Sequence, residues 1–299
     1  MLLFEAIRAT GPGIAFASSP GVTRIITHSL VGAILLLVVI SGPTYAGSSL
    51  DAGYRSMYGF DFRSAEHEFR DWRRDNPDDP LGPVSEAANL LFSELARLGV
   101  LQAQFFVDDS SFTSGLRPAP DRALHARFDS ALDEGARLAR ARLARAPREP
   151  DSLFAMALVN GLRADYASLV EGRNVASLSY TREGARWAGK LLAAAPAYAD
   201  AYLATGINDY IIGSIPTPVR WLLRLAGYAG DKKKGIEQLR VTAERGRLLA
   251  PLARILLGIA YLREGDRVHA REMLVALDRD FPSNPLFARE IKRLDAGGN

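Results

Sequence analysis

Ala65, Phe69, Trp72 and Pro77 stand at the same mutual spacings as Ala270, Leu274, Leu277 and Pro282, near the opposite end of the chain. A small residue followed at helical spacing by two large apolar ones marks one face of a helix, and the proline ends it. Gly135, Ala139 and Pro147 match Gly184, Ala188 and Pro196 in the same way. A helix face that recurs in fixed register is one unit of an array, in which each unit buries its apolar side only against its neighbours. The partner of the last such helix is Leu257-Gly258-Ile259-Ala260-Tyr261. Here Gly258 is expected to let two antiparallel helices approach closely, with Tyr261 filling the space beside it and Ala270 as the small contact opposite. Long segments carry helical periodicity and alternating β-branched runs are missing, so the fold expected is all-α.

This code resembles that of the tetratricopeptide repeat, a helical hairpin of about 34 residues. The resemblance implies antiparallel helical hairpins stacked as a right-handed superhelix, with first helices lining the concave side. The first hairpin runs through Tyr54, Met57 and Tyr58, turns at Gly59-Phe60-Asp61-Phe62 and returns through Ala65 to Pro77. A helix through Leu153 to Leu162 is announced by Pro150-Asp151-Ser152, and another begins near Tyr198-Ala199-Asp200 and passes Tyr202, Leu203, Gly206 and Tyr210. Asn284 and Pro285 open a short helix through Phe287, Ile291 and Leu294 that would cap the array. Two irregularities interrupt the period. Long helices from Pro83 to Phe106 and from Asp121 to Ala146 flank a Ser/Pro-rich loop, and an insertion at 213–231 separates the helix ending near Ile212 from the next.

Ahead of this array, Arg24 and His28 precede an apolar run from Leu30 to Ile40, then Ser41-Gly42-Pro43 and Thr44-Tyr45-Ala46. The pattern is that of a signal peptide cleaved before Gly47, since the run is short for a membrane span. Residues 1–46 are therefore read as a targeting segment and 47–299 as the repeat domain, exported to a bacterial periplasm or cell envelope. The alternative is an uncleaved anchor in the inner membrane. The chain has no cysteine, which excludes disulfides, thiolate metal sites and a cysteine nucleophile.

The insertion carries Gly213-Ser214-Ile215-Pro216-Thr217-Pro218, then an apolar stretch, then Gly230-Asp231-Lys232-Lys233-Lys234-Gly235. From Asp151 to Phe287 the chain resembles the inclusion-body clearance family of tetratricopeptide proteins, most specifically at Ala226 to Gly235. That resemblance implies an all-helical, non-enzymatic protein. Within the insertion, Trp221, Leu222, Leu225 and Tyr228 form an apolar face with three readings: a lid over the inner surface, a docking face for a partner, or a membrane contact.

Motifs that would carry chemistry are missing. There is no nucleophile elbow, phosphate loop, dinucleotide fingerprint or HExxH helix, and no cofactor is implied. His28, His67, His125 and His269 are scattered, which argues against a metal site. The 37 basic and 34 acidic residues are mixed along the chain, which argues against a dedicated nucleic-acid surface. The arginine row Arg137, Arg140, Arg142, Arg145 and Arg148, the run Lys232 to Lys234, and the pairs Asp78-Asp79 and Asp108-Asp109 read as solvated surface and helix caps. More informative are polar residues on first helices: Asn160, Arg163, Asp165 and Tyr166 on one, Asn208, Asp209 and Tyr210 on the next. Either they grip a peptide in the concave groove, or they bond neighbouring helices and the insertion. The function expected is a scaffold that captures a protein or peptide, with Asn160 and Asn208 as backbone clamps, Arg163 beside them, and Tyr202 and Tyr210 as apolar walls. The alternative is a carrier that holds a small apolar or lipid-like ligand in a pocket closed by the insertion.

Overall fold

A computed structural model describes residues 49–101, 119–215 and 229–297. Among them run eleven α-helices and no strand: α1 (Ser49–Tyr58), α2 (Phe62–Asp75), α3 (Leu81–Arg97), α4 (Arg122–Arg145), α5 (Pro150–Asp165), α6 (Asn174–Ala194), α7 (Ala201–Ser214), α8 (Lys232–Arg245), α9 (Ala250–Arg263), α10 (Arg267–Asp280) and α11 (Pro285–Asp295). Each packs on the helix before and after it, and α1 with α3, α3 with α5, and α5 with α7 also touch. The chain is thus an all-α helical repeat superhelix, with odd-numbered helices in one layer and even-numbered helices in the other.

The register seen in the sequence is the packing register of the even layer. Ala65, Gly135, Gly184 and Ala270 are all buried, and so are Phe69, Ala139, Ala188 and Leu274 behind them. A further member is Gly235 with Leu239 in α8. Its hairpin escapes the sequence pattern because Arg247 occupies the position held elsewhere by proline. Four of the five even helices begin on short acidic caps: Asp61, Asp121, Asp231 and Asp266 each accept a backbone N–H of the following turn, Asn284 does so for α11, and α6 follows Arg173 without a side-chain cap. Such caps are each worth about 1 kcal/mol and fix where each return helix starts.

Several boundaries differ from expectation. Helix α3 stops at Arg97 rather than Phe106, because Gly99 takes a positive φ of 70°, a helix-ending conformation that glycine adopts without strain. Helix α5 is capped by Glu149, whose carboxylate accepts from the N–H groups of Asp151 and Ser152. Gly258 is not the point of closest approach: a Cβ there would lie 3.7 Å from Met273 Cβ and 3.9 Å from the Ala270 carbonyl, an ordinary contact. Gly258→Ala should therefore raise stability by about 0.5–1 kcal/mol through helix propensity, measured as a shift of the urea midpoint at unchanged slope.

The two ends of the array meet. The Tyr58 hydroxyl donates to the Leu248 carbonyl at 3.2 Å. Asn284 Nδ2 donates to the Tyr58 carbonyl and Ser283 Oγ to the Gly59 carbonyl, both at 2.9 Å. Arg247 forks onto Asp51 at 2.9 and 2.8 Å, and the rings of Tyr58 and Phe281 lie 5.8 Å apart. The first hairpin is thereby seated on the last two, and the inner layer surrounds a space instead of forming an open gutter. Among the described residues no helix is long and apolar enough to cross a membrane. Residues 1–46, read from the sequence as a targeting segment, lie outside the described residues.

Candidate functional site

The space inside the odd layer is a cavity to which α1, α3, α5, α7 and α9 all contribute, with Thr181 and Gly184 of α6 behind them. The cavity has a volume of about 90 Å³, or about 810 Å³ with its open mouth included. Its wall is chiefly apolar, with Met57, Phe92, Leu158, Leu162, Ile207 and Leu252 drawn from all five helices. These side chains converge because each first helix turns one stripe against its hairpin partner and another toward the superhelix axis.

Four titratable groups are on the wall, Tyr54, Tyr58, Asp165 and Asp200, and no lysine, arginine or histidine joins them among the described residues. Burial disfavours the charged form of each. It pushes the Tyr54 hydroxyl up to about 12 and that of Tyr58 well above its ordinary value. Both hydroxyls are engaged, Tyr54 accepting from Ser85 Oγ at 3.3 Å and Tyr58 donating to Leu248.

The two carboxylates differ in what they touch. Asp200 accepts from the backbone N–H groups of Arg247 (3.0 Å), Leu248 (3.2 Å) and Leu249 (2.8 Å), so it serves as a cap for α9 from the start of α7. Its burial raises the pKa by more than these three donors lower it. Asp165 has no hydrogen bond or ion pair among the described residues. It is an exposed residue that lines the cavity, and the surrounding atoms, by keeping part of the water from it, raise its carboxyl to about 7. Directly after Asp165 the helix widens into a π-turn, Tyr166–Val170. Such insertions are rare and concentrate at functional positions. Tyr166 packs its ring on His125 and Phe128, with centroids 4.3 and 4.9 Å away, and its buried hydroxyl has no partner among the described residues.

An unpaired carboxylate with a raised pKa opposes folding when ionised. Its folded pKa of about 7 exceeds the usual carboxylate value, so the penalty is complete above pH 7 and fades as pH falls toward 4. Asp165→Asn should therefore stabilise the protein at pH 8 by about 1 kcal/mol, after discounting for solvent reached through the mouth, and leave it unchanged near pH 4. Urea unfolding of both proteins at the two pH values checks this.

None of the five residues expected to bind a partner lines the cavity. Asn160 is buried and its Nδ2 donates to the Met156 carbonyl of its own helix at 2.8 Å. Arg163 reaches back to Asp133 of α4 at 2.6 Å. The Tyr202 hydroxyl donates to the Pro196 carbonyl at 3.3 Å, and Asn208 Nδ2 donates to the Ala229 carbonyl at the edge of the insertion, also at 3.3 Å. Tyr210 is buried, and its hydroxyl has no partner among the described residues. Trp221, Leu222, Leu225 and Tyr228 lie outside the described residues. Of the lysine run, Lys232 pairs with Glu264 at 2.8 Å and Lys234 with Asp209 at 3.1 Å, while Asp231 caps α8. Among the described residues no cluster of three His, Asp or Glu side chains is arranged for a metal ion.

Neither a family model, nor a curated protein sequence, nor a solved structure matches the chain. The class of protein that fold and site define is a closed helical repeat with an internal apolar cavity.

Proposed function

We propose that this chain is a binding protein of the tetratricopeptide kind that holds a small apolar molecule inside its superhelix. The observation that carries this reading is the cavity itself, an apolar recess built chiefly by α1, α3, α5, α7 and α9, with Thr181 and Gly184 of α6 completing the wall. Packed interiors rarely leave such space without use, and pockets with apolar walls and few polar groups are the usual form of small-ligand sites. Turnover has less support, because the polar groups on the wall offer, among the described residues, no nucleophile beside a base. Capture of a peptide by Asn160, Arg163, Tyr202, Asn208 and Tyr210 also has less support. Four of these side chains already bond to or pair with other parts of the chain, and they point to separate surroundings.

The direct test is organic extraction of protein purified without detergent, followed by mass analysis. The reading expects one apolar compound in near-stoichiometric amount. An extract without any, from protein that also fails to take up added apolar compounds, would remove the proposal.

A further inference from the structure

The cavity wall is asymmetric in charge, and this says what kind of molecule it suits. It carries two carboxylates and, among the described residues, no cationic side chain. One carboxylate is spent: Asp200 is saturated by the N–H groups of Arg247, Leu248 and Leu249. The other, Asp165, meets no donor among the described residues; it is exposed and lines the recess at the junction of α5 and the π-turn. Two carboxylates with no cation beside them among the described residues give the recess a negative potential. An anionic ligand would be repelled by the pair of carboxylates. A neutral one would leave Asp165 without a counter-charge. A cation with an apolar body satisfies both halves of the site at once, by charge complementarity and by apolar burial.

We propose, resting on the reading of the cavity as a ligand site, that the occupant is an amphiphilic amine, with its ammonium group paired to the Asp165 carboxylate and its apolar body against Phe92, Leu158 and Ile207. The ammonium would stand at the Asp165 end, where the wall is accessible, and the body would extend toward α7 and α9. No covalent step is involved. The other titratable wall groups, Tyr54 and Tyr58 of α1 and Asp200 of α7, are each engaged within the protein and are left as they are.

The experiment is calorimetric titration of the full chain at pH 8 with three ligands of one chain length: octylamine, 1-octanol and octanoate. The expected order is octylamine about tenfold tighter than octanol, with octanoate weakest. In Asp165→Asn the advantage of the amine should disappear, while octanol affinity stays within about twofold because the apolar wall is intact. Asp165→Ser is a second uncharged variant, and thermal melting establishes that each is folded. Equal binding of octylamine and octanol to the parent, or an amine advantage that survives in both folded variants, overturns the assignment to Asp165 and leaves the cavity reading standing. Failure of all three ligands to bind overturns both.

Discussion

Asp200→Ala lowers the stability of the protein by about 3 kcal/mol, the largest effect expected of any single polar substitution here. The aspartate takes three backbone N–H groups at the start of α9, and Leu248 and Leu249 are buried, so two of the orphaned donors would have no water to turn to. The same carboxylate fixes the space around Gly246: a Cβ there would come within 2.7 Å of Asp200 Oδ1, which leaves this turn no side chain of its own to substitute as acceptor. Part of the loss is offset, because removing a buried carboxylate also removes its desolvation cost. The pKa of Asp200 is raised, so the ionised form is the less favourable one in the fold. Stability associated with it is therefore greatest at acid pH and declines as pH rises through the folded pKa. Asp200→Asn keeps an acceptor oxygen and drops that pH dependence, so it should lose less than alanine at neutral pH. Denaturant midpoints for the two variants across pH separate the cap from the charge.

Gly235→Ala destabilises by about 2 kcal/mol, opposite in sign to the effect of Gly258→Ala. A Cβ on Gly235 would stand 2.5 Å from the Tyr210 amide nitrogen and 2.8 Å from the Gly206 carbonyl oxygen. Both are backbone atoms of α7, so no side-chain rotation can relieve the overlap. Forcing the helices apart costs about 3 kcal/mol, from which the better helix propensity of alanine recovers about 1. The contact is reciprocal, since a Cβ on Gly206 would meet the Gly235 carbonyl at 3.1 Å. At the end of the same interface a Cβ on Gly213 would lie 2.2 Å from the Lys232 amide nitrogen, and one on Gly230 2.5 Å from Ile212 Cβ. The glycines of Gly230-Asp231-Lys232-Lys233-Lys234-Gly235 thus have a packing reason, as the places where α8 presses on α7. Thermal or urea unfolding of Gly235→Ala and Gly258→Ala side by side gives the contrast directly.

Much of the architecture was legible because it is local. The spacing of Ala65, Phe69 and Trp72, or of Ala270, Leu274 and Leu277, is set by helical geometry within one element, and Asp121 and Asn284 announce their helices by chemistry acting over one turn. What could not be read depends on how hairpins tilt over the whole array. Nothing near Tyr58 says that it will meet Leu248, or that Arg247 will fork onto Asp51. Gly258 and Gly235 look alike in sequence, and only the helix separation tells the tight site from the loose one. The polar residues on first helices were visible as a group, but not their directions. Helical period puts Asn160 and Arg163 on stripes facing α6 and α4, whereas Asp165, one turn from Gly161, falls on the stripe facing the axis. The π-turn that follows Asp165 has no sequence signature of its own.

The central claim, that apolar molecules bind inside the superhelix, is tested most directly by filling the space from within. Ala204 of α7 lines the cavity and has room on its cavity side. Calorimetric titration of 1-octanol into the parent and into Ala204→Trp should show one saturable site in the first and none in the second, with both melting cooperatively. Equal octanol binding by a folded Ala204→Trp protein would place the ligand elsewhere and contradict the account.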